Sequence, residues 1–182
     1  MSITLWIIIC ILIADFLTGL VHFIEDVYCL ESLPLIGKSV CKPNIDHHQF
    51  PTLMTKMPAL IKNNYQSLLI ALSVIVIFYL FGVFCWQLIL IGVLAGFGNQ
   101  VHLWNHQAKS SYFPEFLKDA GIIQSQKQHS KHHIPPYNKC YCVLINFNNA
   151  WLDRIYFWRG LEWLLDKVGI KVKRGSPERN GY

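Results

Sequence analysis

Between Lys62 and Lys109 the chain carries no Asp, Glu, Lys or Arg. No other feature limits the possible folds so sharply, because an uncharged apolar run of this length has room for two membrane crossings of about 20 residues each. A single helix from Ser67 to His106 would be about 60 Å long, roughly twice the hydrocarbon thickness of a bilayer. The run is therefore expected to fold as a hairpin, with spans at 67–84 and 86–106 and a turn near Gly82 to Gln87. A third apolar run opens the sequence and predicts a span at 3–24. It lacks the basic leader and small-residue cleavage site of a signal peptide, and it carries Asp15 and His22, so it reads as a retained span. The expected fold is an all-α integral membrane protein with about three transmembrane helices. Residues 1–170 would form one membrane-embedded domain, followed by a loose tail at 171–182.

The polar residues inside and beside these runs are spaced rather than scattered. Asp15, Gly19, His22 and Asp26 recur at steps of four, three and four, which places them on one helical stripe. Asp15 reads as a functional or supporting carboxylate, because a charge within a span is costly. The connection from Cys29 to Gln66 holds Pro34, Gly37, Pro43, Pro51 and Pro58, which exclude a long helix, and it contains Asp46-His47-His48. The third span ends with His102 and His106 at i, i+4, Asn99 shares their stripe as a supporting residue, and Trp104 stands where an interfacial anchor would. Phe113 to Ile123 reads as a short amphipathic segment. Then come His129, His132 and His133, closed off by Pro135-Pro136; if that stretch is helical, all three share one face. Tyr141 to Asn148 is apolar and partly strand-like, and Ala150 to Val168 predicts an amphipathic helix lying at the lipid interface. Trp151, Ile155, Trp158, Leu161 or Glu162, and Leu165 would mark its stripe.

The three-span topology puts all eight histidines on one side of the membrane or at its boundary. The same side receives all sixteen Lys and Arg, so the positive-inside rule makes it cytoplasmic, in a bacterial inner membrane or the endoplasmic reticulum. The net charge of +5 is thus explained by topology and implies no nucleic-acid partner. The six cysteines show no disulfide-framework spacing. Cys140-x-Cys142 is closer than zinc ligands prefer and reads as two ordinary thiols in a loop.

Four stations hold every histidine: His22 with Asp26; His47-His48; His102 with His106; and His129 with His132 and His133. Eight imidazoles exceed the needs of one metal and suit two. The Glu-x-x-His motif of carboxylate-rich di-iron bundles is absent, as is the His-Glu-x-x-His of zinc proteases. A transporter would gather its polar groups near mid-membrane, and haem needs only one or two axial ligands. A His-rich dinuclear iron site at the cytoplasmic mouth of a small helical bundle remains. It could reduce O2 and remove hydrogens from an alkyl chain held between the helices.

The run from Asp15 through His22 to Asp26, His47-His48 followed by Pro51-Thr52, Asn99 with His102, Trp104 and His106, and Gln128-His129 with His132-His133 followed by Tyr141-Cys142 together resemble the lipid desaturase family. That family has a plasmanylethanolamine desaturase (Kua-type) branch and a plant palmitoyl-phosphatidylglycerol desaturase branch. The resemblance runs from about Asp15 to Leu165. It implies that the eight histidines and Asp26 are iron ligands or their immediate supports. It also implies O2 as co-substrate, a membrane phospholipid as substrate, and an electron donor such as cytochrome b5 or ferredoxin. Asn148 to Asp153 resembles both branches, Pro136-Tyr137-Asn138 leans toward the plant branch, and Phe157-Trp158-Arg159 with Leu161-Glu162 leans toward the plasmalogen branch. The expected activity is formation of a double bond close to the glycerol backbone, first as alkyl ether to vinyl ether. The alternatives are desaturation of a phospholipid acyl chain, hydroxylation by the same site, and non-enzymatic metal binding in a membrane.

Overall fold

The computed structural model describes residues 2–56 and 60–173, with side chains in the third helix from Asn64 onward; residues 174–182 of the expected tail lie outside the described residues. The described residues are helical, with no strand among them. Helix α1 spans Ile3–Tyr28 and is started by Ser2, whose side chain accepts a hydrogen bond from the Leu5 amide at 3.3 Å. At about 1.5 Å per residue it is roughly 39 Å long. It is the one helix among the described residues long and apolar enough to cross a membrane by length and composition. The Asp15, Gly19, His22, Asp26 stripe is buried along its whole length, whereas Ile3, Ile8, Val21 and Ile24 on other faces are exposed.

The expected hairpin is present as helices. Helix α3 (Leu60–Leu80) turns through Gly82, whose φ of +78° suits glycine, into α4 (Trp86–Gly96). Leu69, Ile70, Leu72, Ile77, Phe78 and Leu80 of α3 are exposed, forming an apolar belt. The expected continuous span at 86–106 is corrected: Phe97 ends α4, and the chain restarts as α5 (Gly98–His106). Two glycines flank the break and weaken the helix there. They also let the backbone come close to its neighbours: a Cβ on Gly96 would lie 2.7 Å from Leu68 Cδ2, and one on Gly98 would lie 2.9 Å from Thr18 Cγ2. Trp104, expected as an interfacial anchor, instead packs partly buried with Ala14, Val101 and Leu144.

The loop expected to be free of long helices holds one turn of π-helix (Gly37–Cys41), the eight-residue α2 (Lys42–Gln49) and a 3₁₀ turn (Pro51–Lys56). Pro43 sits in the first turn of α2, where its missing N–H costs nothing, and Lys42 pairs with Asp46 at 3.0 Å, one turn on. Cys29 and Cys41 form a disulfide although the cysteines show no disulfide-framework spacing; their separation of 12 residues shows no pattern until the loop folds back.

In the second half one further expectation holds and one changes. The segment read as amphipathic from Phe113 is α6 (Tyr112–Asp119), and the short α7 (Gln126–His129) follows it. The single helix expected over 150–168 is two, α8 (Phe147–Arg154) and α9 (Phe157–Lys167), broken at Tyr156, whose φ is +55°. The break turns the chain so that Trp151 and Ile155 stay exposed while Trp158 enters the core. There Trp158 stacks on Phe23 with ring centroids 5.2 Å apart and meets Tyr141 at 4.9 Å.

Of the stretch expected to be partly strand-like, 141–148, residues 141–145 are irregular and largely buried and pair with no strand among the described residues, and α8 begins at Phe147. Side chains, and the backbone amide of Gln124, which donates to the Leu144 carbonyl at 2.7 Å, satisfy its backbone instead. Asp15 Oδ1 accepts from the amides of Leu144 (2.8 Å) and Ile145 (3.1 Å), Thr18 Oγ1 from Val143 (3.4 Å), and Asn149 Oδ1 from Cys142 (2.9 Å). Gln124 and Asn149 both donate to the Cys142 carbonyl, at 2.6 and 2.7 Å.

The segment lies so close to α1 that a Cβ on Gly19 would fall 2.5 Å from Cys142 Sγ and 3.1 Å from its amide nitrogen. Gly19→Ala is therefore expected to destabilise the fold by about 1–3 kcal/mol, the range for overpacking. Gly160 on α9 faces open space, and Gly160→Ala should stabilise by about 0.5–1 kcal/mol through helix propensity alone. Denaturant unfolding of both variants in detergent checks the sign of each.

Candidate metal centre

Each histidine station is placed by a different element, and all four converge. His22 and Asp26 stand one turn apart at the end of α1, His47 and His48 on α2, His102 and His106 one turn apart on α5, and His129 ends α7 with His132 and His133 in the turn after it. Their rings pack as a single cluster. Centroids are 4.4 Å apart for His22 and His132, for His47 and His106, and for His102 and His129.

Within the cluster the donors fall into two groups able to hold a metal ion. One is His47, His102, His106, His129 and His133; the other is His22, Asp26, His48 and His132. In each group one ligand atom per residue lies within 4.8 Å of all the others. The groups adjoin, since the His48 and His133 rings are 4.8 Å apart and His22 and His102 are 5.1 Å apart. Together they use all eight histidines. The expectation that His129, His132 and His133 share one helical face is corrected: the helix ends at His129, and His132 joins the other group. His47 and His48 divide in the same way. Consecutive residues on a helical turn point about 100° apart, so a neighbouring pair can serve two ions at once.

The donors suit a cation. Buried polar atoms ordinarily find hydrogen-bond partners. Yet His22 Nε2, His102 Nε2 and both ring nitrogens of His47 are buried without one among the described residues. His106 Nε2 and His129 Nε2 stand 2.7 Å apart, and His133 Nε2 is 3.2 Å from His129 Nε2, so lone pairs converge on one volume. Burial first, and then the neighbouring imidazoles, holds His47, His129 and His133 below the ordinary histidine range. They are therefore neutral at physiological pH, which is the form that ligates metal.

The surrounding hydrogen bonds fix the rings. A carbonyl oxygen only accepts, so Nδ1 of His22 must donate to Tyr141 O (3.0 Å) and Nδ1 of His132 to Lys139 O (2.9 Å). Each Nε2 is thereby left with its lone pair toward the cluster. Asp26 is the hub of the second group: Oδ1 lies 3.0 Å from His48 Nε2 and Oδ2 lies 3.0 Å from His132 Nε2. Asn44 donates to Asp26 Oδ1 at 2.7 Å. Asn44 and the carbonyls of Lys139 and Tyr141 were not singled out from sequence. Only Asn44, three and four residues before the His47-His48 pair, left a visible signal. Asp15 does not join the imidazoles but holds the 140–145 segment, and Asn99 donates to Ser67 Oγ at 3.1 Å, tying α5 to α3. Cys140 and Cys142 belong to neither group. The Cys140 thiol donates to Asp153 at 3.2 Å, and burial and that carboxylate push its pKa up to about 12.

The profile of the lipid desaturase domain matches residues 11–174. Plasmanylethanolamine desaturase 1 of Mus musculus is 31% identical over 166 residues, covering 85% of this chain and 61% of its own length. Plasmanylethanolamine desaturase of Myxococcus xanthus is 29% identical, covering 85% and 57%. The chloroplastic fatty acid desaturase 4 of Arabidopsis thaliana is 31% identical over 178 residues, covering 94% and 54%. The chain thus spans a little over half the length of these relatives. No solved structure matches.

Two groups with separate donors predict separable losses. His132→Ala and His133→Ala, each loaded with a divalent metal and assayed by elemental analysis, should each lose about one metal equivalent per chain. The double variant should lose both. Asn44→Ala removes no donor but frees Asp26, and should weaken metal binding about 10–100-fold in a competitive chelator titration.

Proposed function

The chain belongs to the lipid desaturase family, and from that premise we propose that it is a membrane-bound, O2-dependent di-iron desaturase acting close to the glycerol backbone of a phospholipid. The observation that carries this reading is the closure of eight histidines and Asp26 into two adjoining groups at one end of an apolar helical bundle. One iron would be held by His47, His102, His106, His129 and His133, and the other by His22, Asp26, His48 and His132. Bound there, the pair would supply the electron-transfer chemistry by which O2 removes two hydrogens from an unactivated chain and is reduced to water. The overall balance is –CH2–CH2– plus O2, two electrons and two protons giving –CH=CH– plus two waters, with electrons from a small carrier such as cytochrome b5 or ferredoxin.

The protein's own part is position and dryness. The Tyr141 and Lys139 carbonyls orient His22 and His132, and Asp26 with Asn44 braces His48. The His132 ring is 0% and the His48 ring 4% exposed, so bulk water is kept from the second group, while half-buried His106 and His133 edge the first. The substrate we favour is an alkyl ether lipid converted to a vinyl ether, following the names of the mouse and Myxococcus relatives. The alternative is an acyl chain, since the Arabidopsis fatty acid desaturase is equally similar at 31% identity.

The proposed topology has three crossings: α1, α3, and α4 continued by α5. The exposed apolar belt of α1 and α3 supports it, as does the length of α3, whose 21 residues rise about 31 Å, close to the hydrocarbon thickness. The histidine side would be cytoplasmic by the distribution of Lys and Arg. Disulfides are uncommon in reducing compartments, but Cys29 and Cys41 are 5% and 0% exposed and so are shielded from reductant.

Two experiments test this reading. A host lacking plasmalogens is fed an alkylglycerol while it expresses the chain or His132→Ala. Lipid mass spectrometry should find an acid-labile product two hydrogens lighter, absent with the variant. New unsaturation confined to acyl chains would move the substrate to the alternative, and no change in either pool with iron and reductant present would leave a non-enzymatic metal-binding protein. For topology, Cys85 is an exposed free thiol in the α3–α4 turn, opposite the histidines. A membrane-impermeant maleimide should label it from the non-cytoplasmic side only; labelling from the cytoplasm would reverse the orientation.

A further inference from the structure

A cleft of about 290 Å3 lies outside the histidine cluster, lined by Pro136, Asn138, Lys139, Asp153, Tyr156, Trp158 and Arg159. That volume is at the small end for a ligand site, too small for a whole lipid but suited to a polar headgroup. Lys139 and Arg159 contribute two exposed cations. Asp153 is the one carboxylate in the lining, and its oxygens already accept from the Cys140 amide (3.2 Å to each) and the Cys140 thiol (3.2 Å). The charge left for a ligand is positive.

Two further features point to an anion. Helix α9, 11 residues long, begins at the cleft, and its N-cap, Tyr156, supplies no side-chain cap. The first amides of the helix thus have no intrahelical acceptor and carry the positive end of its dipole. Independently, Trp158 lines the cleft at 2% exposure, and its indole N–H has no acceptor among the described residues. The backbone here is held in an unusual shape: Tyr137, Cys140 and Tyr156, three of the four non-glycine residues at positive φ among the described residues, lie in or beside the lining. Such conformations cluster where a ligand is clamped.

Position ties the cleft to the metal groups and to lipid. The carbonyl of Lys139, in the cleft wall, is the acceptor that orients His132. Helix α9 leaves Trp163, Leu164 and, just past its end, Val168 exposed, and Lys167 lies over Trp163 at 5.6 Å, a combination that suits a helix at the headgroup layer. We propose that this cleft binds the phosphate diester of a glycerophospholipid headgroup, through Lys139, Arg159, the start of α9 and the Trp158 indole, while the chain attached to the same glycerol reaches the histidines. This rests on the desaturase reading of the centre and adds to it the subsite that selects phospholipids over neutral ether lipids.

The test uses the purified, metal-loaded chain in detergent and follows tryptophan emission, to which Trp158 contributes. The probes are dihexanoyl-phosphatidylethanolamine, dihexanoylglycerol and inorganic phosphate. The wild type should bind the phospholipid, and a Lys139→Gln, Arg159→Gln double variant should bind it at least about tenfold more weakly, with dihexanoylglycerol binding unchanged. Phospholipid affinity equal to that of the wild type, or equal loss for both lipids, would overturn the proposal. So would inorganic phosphate binding as tightly as the phospholipid, which would mark a site for free anions. Failure here is separable from failure of the enzymatic reading. A double variant that binds normally and still forms the double bond removes the subsite alone. A wild type that forms no double bond but binds phospholipid through these two residues keeps the cleft and loses the desaturase.

Discussion

The rest of the structure depends on how a largely buried, irregular stretch of backbone from Cys140 to Ile145 is satisfied. An unpaired buried amide costs about 1–3 kcal/mol, and this stretch has no strand partner to share the cost. Its amides go to Asp153, Asn149, Thr18 and Asp15, and its Cys142 carbonyl to Gln124 and Asn149. These partners come from α1, α8 and the turn before α7, so the segment locks three distant parts of the chain into one arrangement. The carbonyls left over do the orienting, since Tyr141 aligns His22 and, one residue upstream of the stretch, Lys139 aligns His132. A carboxylate deep in an apolar helix is thereby explained by support rather than by chemistry.

The division of neighbouring histidines is the second constraint. His47 and His48 each give a donor to a different group, so the one short helix α2 feeds both. The 100° step between adjacent helical residues supplies both groups from one short element, and the turn after α7 likewise sends His132 to one group and His133 to the other. Asp26 then sits among His22, His48 and His132 as the single carboxylate among nine donors. That ratio differs from the carboxylate-rich bundles excluded by sequence, and it makes the second group the more negatively charged of the two.

Much of this was legible beforehand because it is local. The uncharged run with its glycine turn gave the hairpin, and the i, i+4 spacing of His102 and His106 placed both in the first group. What was not legible depends on partners distant in sequence. The break at Phe97 follows from the close approach of Leu68 and Thr18 to its flanking glycines. The break at Tyr156 follows from Trp158 being drawn into the core formed by Phe23 and Tyr141. The 141–148 stretch read as partly strand-like because its pattern is the same whether amides meet a neighbouring strand or side chains. The Cys29–Cys41 bond and the bracing of Asp26 by Asn44 also exist only once the loop folds back over α1.

If the centre acts on a lipid as proposed, the same geometry bears on where along that lipid it can act. Helices α1 and α3 expose apolar side chains along their length, while the histidines and the cationic cleft lie together at the end of α1 that leaves the apolar run. A lipid aligned with such a bundle presents its glycerol, not its methyl end, to the histidines. Position would then be measured from the headgroup, with the cleft at Lys139 and Arg159 as the fixed point and His132, tied to the Lys139 carbonyl, as the nearest element of the centre. Here the donors begin at His22, near the end of α1, and the polar residue deeper in that helix, Asp15, is already committed to the backbone of Leu144 and Ile145. On the desaturase reading proposed above, the arrangement favours a bond within the first carbons of the chain, whether that chain is joined to glycerol by an ether or an ester.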